Sequence, residues 1–146
     1  MKYYIIIPAY NEEAFMALTL QSLVEQTVLP SKIIVVNDSS TDSTAEIVAS
    51  FSEKHSFITL VNKKSDAIHL PGSKVIQAFH EGEKHIDDNY DIIVKVDADL
   101  IFPNNYFETI IKHFQSDDKI GMAGGFCYIA KNNDWVLENL TDKDHI

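Results

Sequence analysis

Four short runs of β-branched and aromatic residues recur along the chain, and segments with helical periodicity separate them. The runs occupy residues 3–7, 33–36, 57–61 and 92–96. Their apolarity is nearly continuous rather than alternating, which is typical of strands buried on both faces. This order of strands and helices predicts an α/β fold with a mostly parallel sheet, helices on both faces and right-handed crossovers.

The apolar residues between and after these runs recur at helical spacing, which predicts four helices. We expect Asn11 to cap the first helix, and Ser40 or Thr41 to cap the second, because short polar side chains accept bonds from helix N-termini. The helices are expected over residues 12–26, 42–53 and 73–85 and beyond Pro103, the last on the spacing of Phe107, Ile110, Ile111 and Phe114.

The pattern changes after residue 120, where three glycines precede a new apolar run. Residues 126–130 and 135–140 read as strands, and the polar residues 131–134 between them are a turn signal. We expect a C-terminal hairpin or the edge of a mixed sheet. The length of 146 residues suits one domain with a substantial core.

The charge of the chain limits its partners. The chain has 12 basic and 22 acidic residues, which gives a formal net charge of −10. This charge argues against nucleic acid or an anionic membrane surface as a partner. All twelve basic residues are lysines. A phosphate-bearing ligand would therefore rely on lysine, backbone N–H groups or a metal, since no guanidinium can clamp it.

Cys127 is the single cysteine, which excludes an internal disulfide and a cysteine-rich zinc site. We expect it to lie in the core. The apolar run near the N-terminus is too short for a signal peptide or a membrane span, so the expected location is the cytoplasm.

Asp97 and Asp99 follow the fourth apolar run and are separated by one alanine. Side chains alternate along an extended chain, so both carboxylates should project to the same side at the end of the strand. Carboxylate pairs of this kind hold divalent cations, and the carboxyl edge of an open α/β sheet is the usual place for a ligand. The pair therefore predicts a cation site, although paired acids after a strand can also be a solvated turn.

A second polar cluster, residues 37–42, follows the second apolar run. Its residues can simply turn the chain and cap a helix. Alternatively, Asp38 faces the crevice at the sheet edge, where a carboxylate accepts but cannot donate and so favours the imino N–H of uracil, thymine or guanine. The glycine-rich loops of P-loop and dinucleotide-binding proteins are missing from the sequence.

Three motifs in this order resemble the family 2 glycosyltransferases: IIPAYNEE from Ile6, VVNDSSTD from Val35 and VDAD from Val96. Each follows a predicted strand, and the resemblance covers nearly the whole chain. It implies a GT-A fold with a Rossmann-like sheet, and an inverting enzyme that transfers a sugar from a nucleotide diphosphate donor, with UDP sugars favoured. The implied cofactor is a divalent metal, Mn²⁺ or Mg²⁺.

The resemblance also implies roles for individual residues. Asp38 would pair with the base, Asp97 would contact the ribose, and Asp99 would contact the metal-bound diphosphate, with both Asp97 and Asp99 as metal ligands. Lys74 would contact the diphosphate or sugar. The remaining residues expected at the nucleotide pocket are Pro8, Ala9, Tyr10 and Glu12.

Members of this family are normally longer, which makes this chain resemble their N-terminal, nucleotide-sugar-binding part. The general base, the acceptor contacts and any membrane association, peripheral at the inner face, are expected in sequence after Ile146. Two alternatives stay open. The chain could be a nucleotide-binding fragment or scaffold without activity, or a receiver-type signalling domain, although Pro8, Ala9 and Tyr10 stand where a receiver carries an acidic pair.

Overall fold

A computed structural model describes residues 1–64 and 73–138. All four predicted strands of the first part and all four predicted helices are present. In chain order, the elements are β1 (Tyr3–Ala9), α1 (Met16–Val24), β2 (Lys32–Asp38), α2 (Thr44–Lys54), β3 (Ile58–Lys63), α3 (Ser73–Glu83), β4 (Ile92–Lys95), α4 (Tyr106–Ser116), β5 (Tyr128–Lys131) and β6 (Asp134–Leu137).

The first four strands form one parallel sheet in the order β3-β2-β1-β4. The chain builds the sheet outward from β1 to β3 and then returns to add β4 on the other side of β1. The direction of the strand order therefore reverses between β1 and β4. Ligands of open α/β sheets bind at such a reversal, beyond the carboxyl ends of the strands.

Both faces of this sheet are buried. On one face, Ile6 belongs to a core cluster that reaches Ala78 of α3. On the other face the Tyr3 ring stacks on Phe107 of α4, with ring centroids 4.9 Å apart. Tyr3 and Ile6 are three residues apart on one strand, so their side chains point to opposite faces. The sheet thus carries helices on both faces, as the continuous apolarity of its strands predicts.

The expected helix caps are wrong. α1 begins at Met16 rather than near residue 12, and Phe15 holds its N-cap position without a side-chain hydrogen bond. Ser43, not Ser40 or Thr41, holds the N-cap position of α2. The polar residues before both helices bond instead to the neighbouring loop, as described below.

The chain divides into two compact units, Met1–Glu108 and a second that begins at Thr109. In the second, β5 and β6 pair antiparallel. Asn132 and Asn133 join them with positive φ angles of 53° and 63°, which the type I′ turn of a tight hairpin requires. The predicted C-terminal hairpin is therefore confirmed, whereas Cys127, expected in the core, is only partly buried.

Candidate functional site

The polar motifs of the sequence lie at the carboxyl ends of β1, β2 and β4. In the parallel register Pro8 lies opposite Val36, so the ends of β1 and β2 are level. The pairing of β4 with β1 reaches Lys95 opposite Ile6, and the Val96 N–H donates to the Ile6 carbonyl at 3.1 Å. Consequently Asp38, Asp97 and the segment after Ala9 all leave the sheet at the same edge.

Asp97 and Asp99 keep the alternation of a strand although β4 ends at Lys95. Val96 and Ala98 are 2 % and 4 % exposed, whereas Asp97 and Asp99 are both exposed. The small apolar residues thus anchor the segment in the core, and both carboxylates project away from it.

Glu12 lies close enough to both acids to respond to their charge. Burial raises the pKa of the Glu12 carboxyl, and the negative charges of Asp99, Asp42 and Asp97 raise it further. The loop after β1 therefore brings a third carboxylate toward the pair that follows β4. This accumulation of negative charge, in the absence of a cation, opposes the ionisation of Glu12.

Two carboxylates are a suitable donor set for a hard divalent cation that arrives with its own oxygen ligands. Within residues 1–64 and 73–138, no group of three or more acidic, histidine or cysteine side chains has the geometry of a complete metal site. Mg²⁺ is usually held by one or two carboxylates together with the phosphates of a substrate rather than by a cage of protein ligands alone. Asp97 and Asp99 fit that arrangement.

Lysines pair with two of the acids at this edge. Lys95 forms an ion pair with Asp97 at the surface. Lys63 lies directly opposite Asp38 in the register of β2 and β3, and its Nζ is 3.3 Å from Asp38 Oδ1. The Asp38 and Lys63 side chains are only 7 % and 11 % exposed. Lys63 does not stand out in the sequence, because its pairing with Asp38 depends on the register of two strands that are distant in sequence.

Hydrogen bonds join the loop after β1 to the loop after β2. Asn11 has a positive φ of 54°, its N–H donates to Ser40 Oγ at 3.0 Å, and its Oδ1 accepts the Thr41 N–H at 2.8 Å. The Glu12 N–H donates to Thr44 Oγ1 at 2.8 Å. These contacts link residues about 30 positions apart and explain why Asn11, Ser40 and Thr41 cap no helix.

Asp42 completes this connection between the two loops. Its carboxylate accepts the Glu13 N–H at 3.1 Å and both the N–H and the hydroxyl of Thr44. Burial alone would raise the pKa of Asp42, but the bonds from Thr44 and Glu13 lower it overall. Asp42 is thus held ionised as a structural residue of the loop, a role that the sequence pattern did not reveal.

The other predicted pocket residues occupy different environments along the edge. Ala9 is buried, Pro8 is half-buried, and the Tyr10 ring is exposed. Lys74 lies in the first turn of α3 and is partly exposed. Because α3 follows the parallel strand β3, it starts from the same edge of the sheet.

The chain matches the family model described as glycosyl transferase family 2 over residues 4–141. This range covers all three motifs and extends over most of both described units. The chain belongs to glycosyl transferase family 2.

Among curated relatives, this family 2 chain is 31 % identical over 120 residues to glycosyltransferase GlyA of Streptococcus pneumoniae, covering 80 % of this chain and 16 % of that protein. It is 34 % identical over 124 residues to the probable glycosyltransferase YdaM of Bacillus subtilis, covering 83 % of this chain and 28 % of the relative. The chain thus spans less than a third of the length of either relative.

Solved structures with the same fold include TarS 1–349 of Staphylococcus aureus in complex with UDP, with a TM-score of 0.65 and 24 % identity, covering 80 % of this chain and 32 % of that one. Mannosyltransferase PcManGT of Pyrobaculum calidifontis, in complex with GDP-Man and Mn²⁺, gives a TM-score of 0.68 and 25 % identity over 82 % of this chain and 34 % of the other. The expected GT-A fold is confirmed.

Membership of family 2 confirms the resemblance stated from the three motifs, and it favours a glycosyltransferase over a receiver-type signalling domain. In the part of the family 2 chain that the structure describes, no helix is both long and apolar enough to span a bilayer.

Proposed function

We propose that this chain binds the donor of a metal-dependent, inverting glycosyltransferase, with a UDP sugar as the favoured donor. The observation that carries the proposal is that the exposed Asp97 and Asp99 leave the sheet at the reversal of strand order, at the same edge as Asp38 and the loop that holds Glu12. A site with this much negative charge suits a diphosphate only when a cation accompanies it.

Asp99, with Asp97, would hold the divalent cation, Mn²⁺ or Mg²⁺. When bound, such an ion supplies Lewis-acid stabilisation of the charge that develops on a departing nucleoside diphosphate. In this assignment both Asp99 and Asp97 would hold the ion that accompanies the diphosphate, and Asp97 would also contact the ribose. Lys95 must release Asp97 before the carboxylate can serve either role.

Asp38 would recognise the base. A carboxylate accepts the imino N–H of uracil or guanine but offers no hydrogen to the ring nitrogen of cytosine. The ion pair with Lys63 holds the Asp38 side chain in place at the end of β2, and the low exposure of both side chains strengthens their hydrogen bond.

Further contacts along the edge would hold the rest of the donor. Pro8 and Ala9 would line the nucleotide pocket, with the exposed Tyr10 ring offering an aromatic face. Glu12 would lie nearby, and Lys74, on the first turn of α3, would reach the diphosphate or the sugar.

The complete reaction requires an acceptor hydroxyl that attacks the anomeric carbon from the face opposite the diphosphate, which inverts the configuration. The residues assigned above all serve the donor: they bind the base, orient the ribose and hold the charged diphosphate at the sheet edge. The proposal assigns no residue as the base that deprotonates the acceptor.

The structural neighbours support a nucleotide-sugar donor. TarS has been solved with UDP and with UDP-GlcNAc, and PcManGT with GDP-Man and Mn²⁺. Both uracil and guanine carry the imino N–H that Asp38 would accept. The relatives also include the poly-beta-1,6-N-acetyl-D-glucosamine synthase of Staphylococcus epidermidis, 28 % identical over 120 residues, covering 82 % of this chain and 27 % of the synthase.

Calorimetric titration of UDP, GDP, CDP and ADP, each in Mn²⁺ and in EDTA, tests the proposal. We expect UDP to bind in Mn²⁺ at least tenfold more tightly than CDP or ADP, and to lose that affinity in EDTA. Equal affinity for all four nucleotides would contradict the role of Asp38. Absence of binding to any of them would favour the alternative of an inert scaffold.

A further inference from the structure

Helix α1 and the residues just after it bury three polar side chains, where apolar residues would normally pack. Thr19, Ser22 and Gln26 are almost completely buried, Gln26 just beyond the C-terminal end of the helix. Thr19 and Ser22 are at positions i and i+3 of α1 and so lie on one face of the helix. Buried polar groups destabilise a fold unless they are hydrogen-bonded, so these three side chains need partners.

The partners are backbone groups in the segment that follows β4. Thr19 Oγ1 donates to the Ala98 carbonyl at 2.8 Å. Ser22 Oγ accepts the Phe102 N–H at 3.2 Å. Gln26 makes two bonds to this part of the chain, with Nε2 donating to the Pro103 carbonyl at 2.8 Å and Oε1 accepting the Phe107 N–H at 3.2 Å, and Nε2 also donates to the Ser22 carbonyl at 2.9 Å.

Residues 96–103 form neither strand nor helix, and apart from the bond of the Val96 N–H to the Ile6 carbonyl they lack the regular backbone bonds of those elements. Within this segment, the Leu100 N–H donates to the Asp97 carbonyl at a long distance of 3.4 Å. The bonds from α1 therefore supply much of what holds the segment in one conformation.

The bond from Thr19 has the most direct consequence for the site. Ala98 lies between Asp97 and Asp99, and its carbonyl is the group that Thr19 holds. Rotation of the peptide unit after Ala98 would redirect Asp99 relative to Asp97. A fixed Ala98 carbonyl thus fixes the angle between the two carboxylates.

We propose that Thr19 is a positioning residue for the cation and diphosphate site: through the Ala98 carbonyl it holds Asp97 and Asp99 in the mutual orientation that binds a divalent cation. This inference rests on the proposed function of Asp97 and Asp99. Thr19 itself touches neither cation nor donor. Its hydroxyl is the required feature, because a valine of the same shape would leave the buried Ala98 carbonyl without its donor.

The test compares Thr19→Val with Thr19→Ser, which restores the hydroxyl, and with Val48→Ala, which removes buried apolar volume from α2. Two quantities are measured on the full chain: amide hydrogen exchange of residues 96–102 without ligand, and the Kd for UDP in Mn²⁺. We expect Thr19→Val to accelerate exchange in this segment and to raise the Kd, each at least tenfold, and Thr19→Ser to restore both to within about threefold.

Val48→Ala should lower the melting temperature but change neither quantity more than threefold. If Thr19→Val leaves exchange and Kd unchanged, or if Val48→Ala reproduces both effects, the positioning role is wrong. Should wild-type protein bind no UDP, the proposed function fails, and the exchange measurement alone decides whether Thr19 orders the segment. Thr19→Ala replaces Thr19→Val in the same comparison if the valine variant does not fold.

Discussion

Asp99 acts on Glu12 through space: its negative charge adds to burial in raising the pKa of the Glu12 carboxyl. Glu12 follows β1 and Asp99 follows β4, so the two residues are brought together by the adjacency of these strands in the sheet. The two strands are neighbours at the reversal of strand order, so the loops that carry these acids begin at that point of the sheet.

Glu12→Gln should therefore stabilise the protein at neutral pH. A carboxyl whose pKa is raised by folding favours the native state below its unfolded pKa, and this advantage disappears as the pH rises through the folded pKa. Relative to wild type, the melting temperature of Glu12→Gln should be higher at pH 7 and should approach that of wild type near pH 4 or below. Glu53→Gln, the same change on the exposed surface of α2, is the control, and a difference that is constant with pH would contradict the interpretation.

Asp38→Asn should change the preference among bases. An amide can donate as well as accept, so the variant should gain affinity for CDP relative to UDP by about tenfold, a difference of about 1.4 kcal/mol. Competition titrations of the two nucleotides in Mn²⁺ measure the ratio. An unchanged ratio would exclude Asp38 from base recognition.

The same substitution leaves Lys63 without a charged partner. Removal of one member of a buried ion pair destabilises proteins by about 3–5 kcal/mol, and we expect the lower end because Lys63 lies at the sheet edge. The double variant Asp38→Asn with Lys63→Met should recover most of this loss in chemical denaturation. Lack of any recovery would mean that the ion pair is not the cause.

Lys95→Met should strengthen cation binding, because a cation then no longer competes with an ammonium group for Asp97. An exposed ion pair contributes up to about 1 kcal/mol, so the gain in Mn²⁺ affinity should not exceed about fivefold. Calorimetry with Mn²⁺ measures it, with Lys54→Met on α2 as the control for net charge. A weaker affinity in the Lys95 variant would show that the lysine assists the site rather than competing for it.

Gly82→Ala should destabilise the fold although alanine is the better helix former. A Cβ at position 82 would lie 2.6 Å from Ile6 Cγ2 and 3.1 Å from Val36 Cγ2, both of which are held in the packed core. Overpacking costs about 1–3 kcal/mol, which exceeds the gain of about 1 kcal/mol in helix propensity. Urea denaturation of the Gly82→Ala variant, alone and combined with Ile6→Ala, measures the effect. The Ile6→Ala substitution should lower the free energy of unfolding by less in the Gly82→Ala variant than in the wild-type protein.

The sequence was sufficient to predict the sheet and the place of the motifs. Continuous apolar runs reveal strands buried on both faces, and parallel strands bring their carboxyl ends to one edge, so the positions of Asp38, Asp97 and Asp99 follow from local patterns. The alternation after β4 was also readable, because Val96 and Ala98 are apolar and their neighbours are acids.

The pairing within the site could not be predicted in the same way. Asparagine is a common helix cap, but Asn11 caps no helix. Its Oδ1 instead accepts the N–H of Thr41, which is 30 positions away in sequence. Thr19 belongs to a helix whose expected apolar face gave no reason to notice a hydroxyl. Such partners are set by the packing of distant elements, which local periodicity does not encode.

The most direct test of the account is the affinity for UDP in Mn²⁺ of the Asp99→Asn variant, measured by calorimetry. Asp88→Asn, the same change in the loop before β4 at the opposite edge of the sheet, is the control. We expect Asp99→Asn to lose at least tenfold in Mn²⁺-dependent affinity with its melting temperature retained, and Asp88→Asn to bind as wild type does. An unchanged affinity in Asp99→Asn would contradict the assignment of this edge as the metal and donor site.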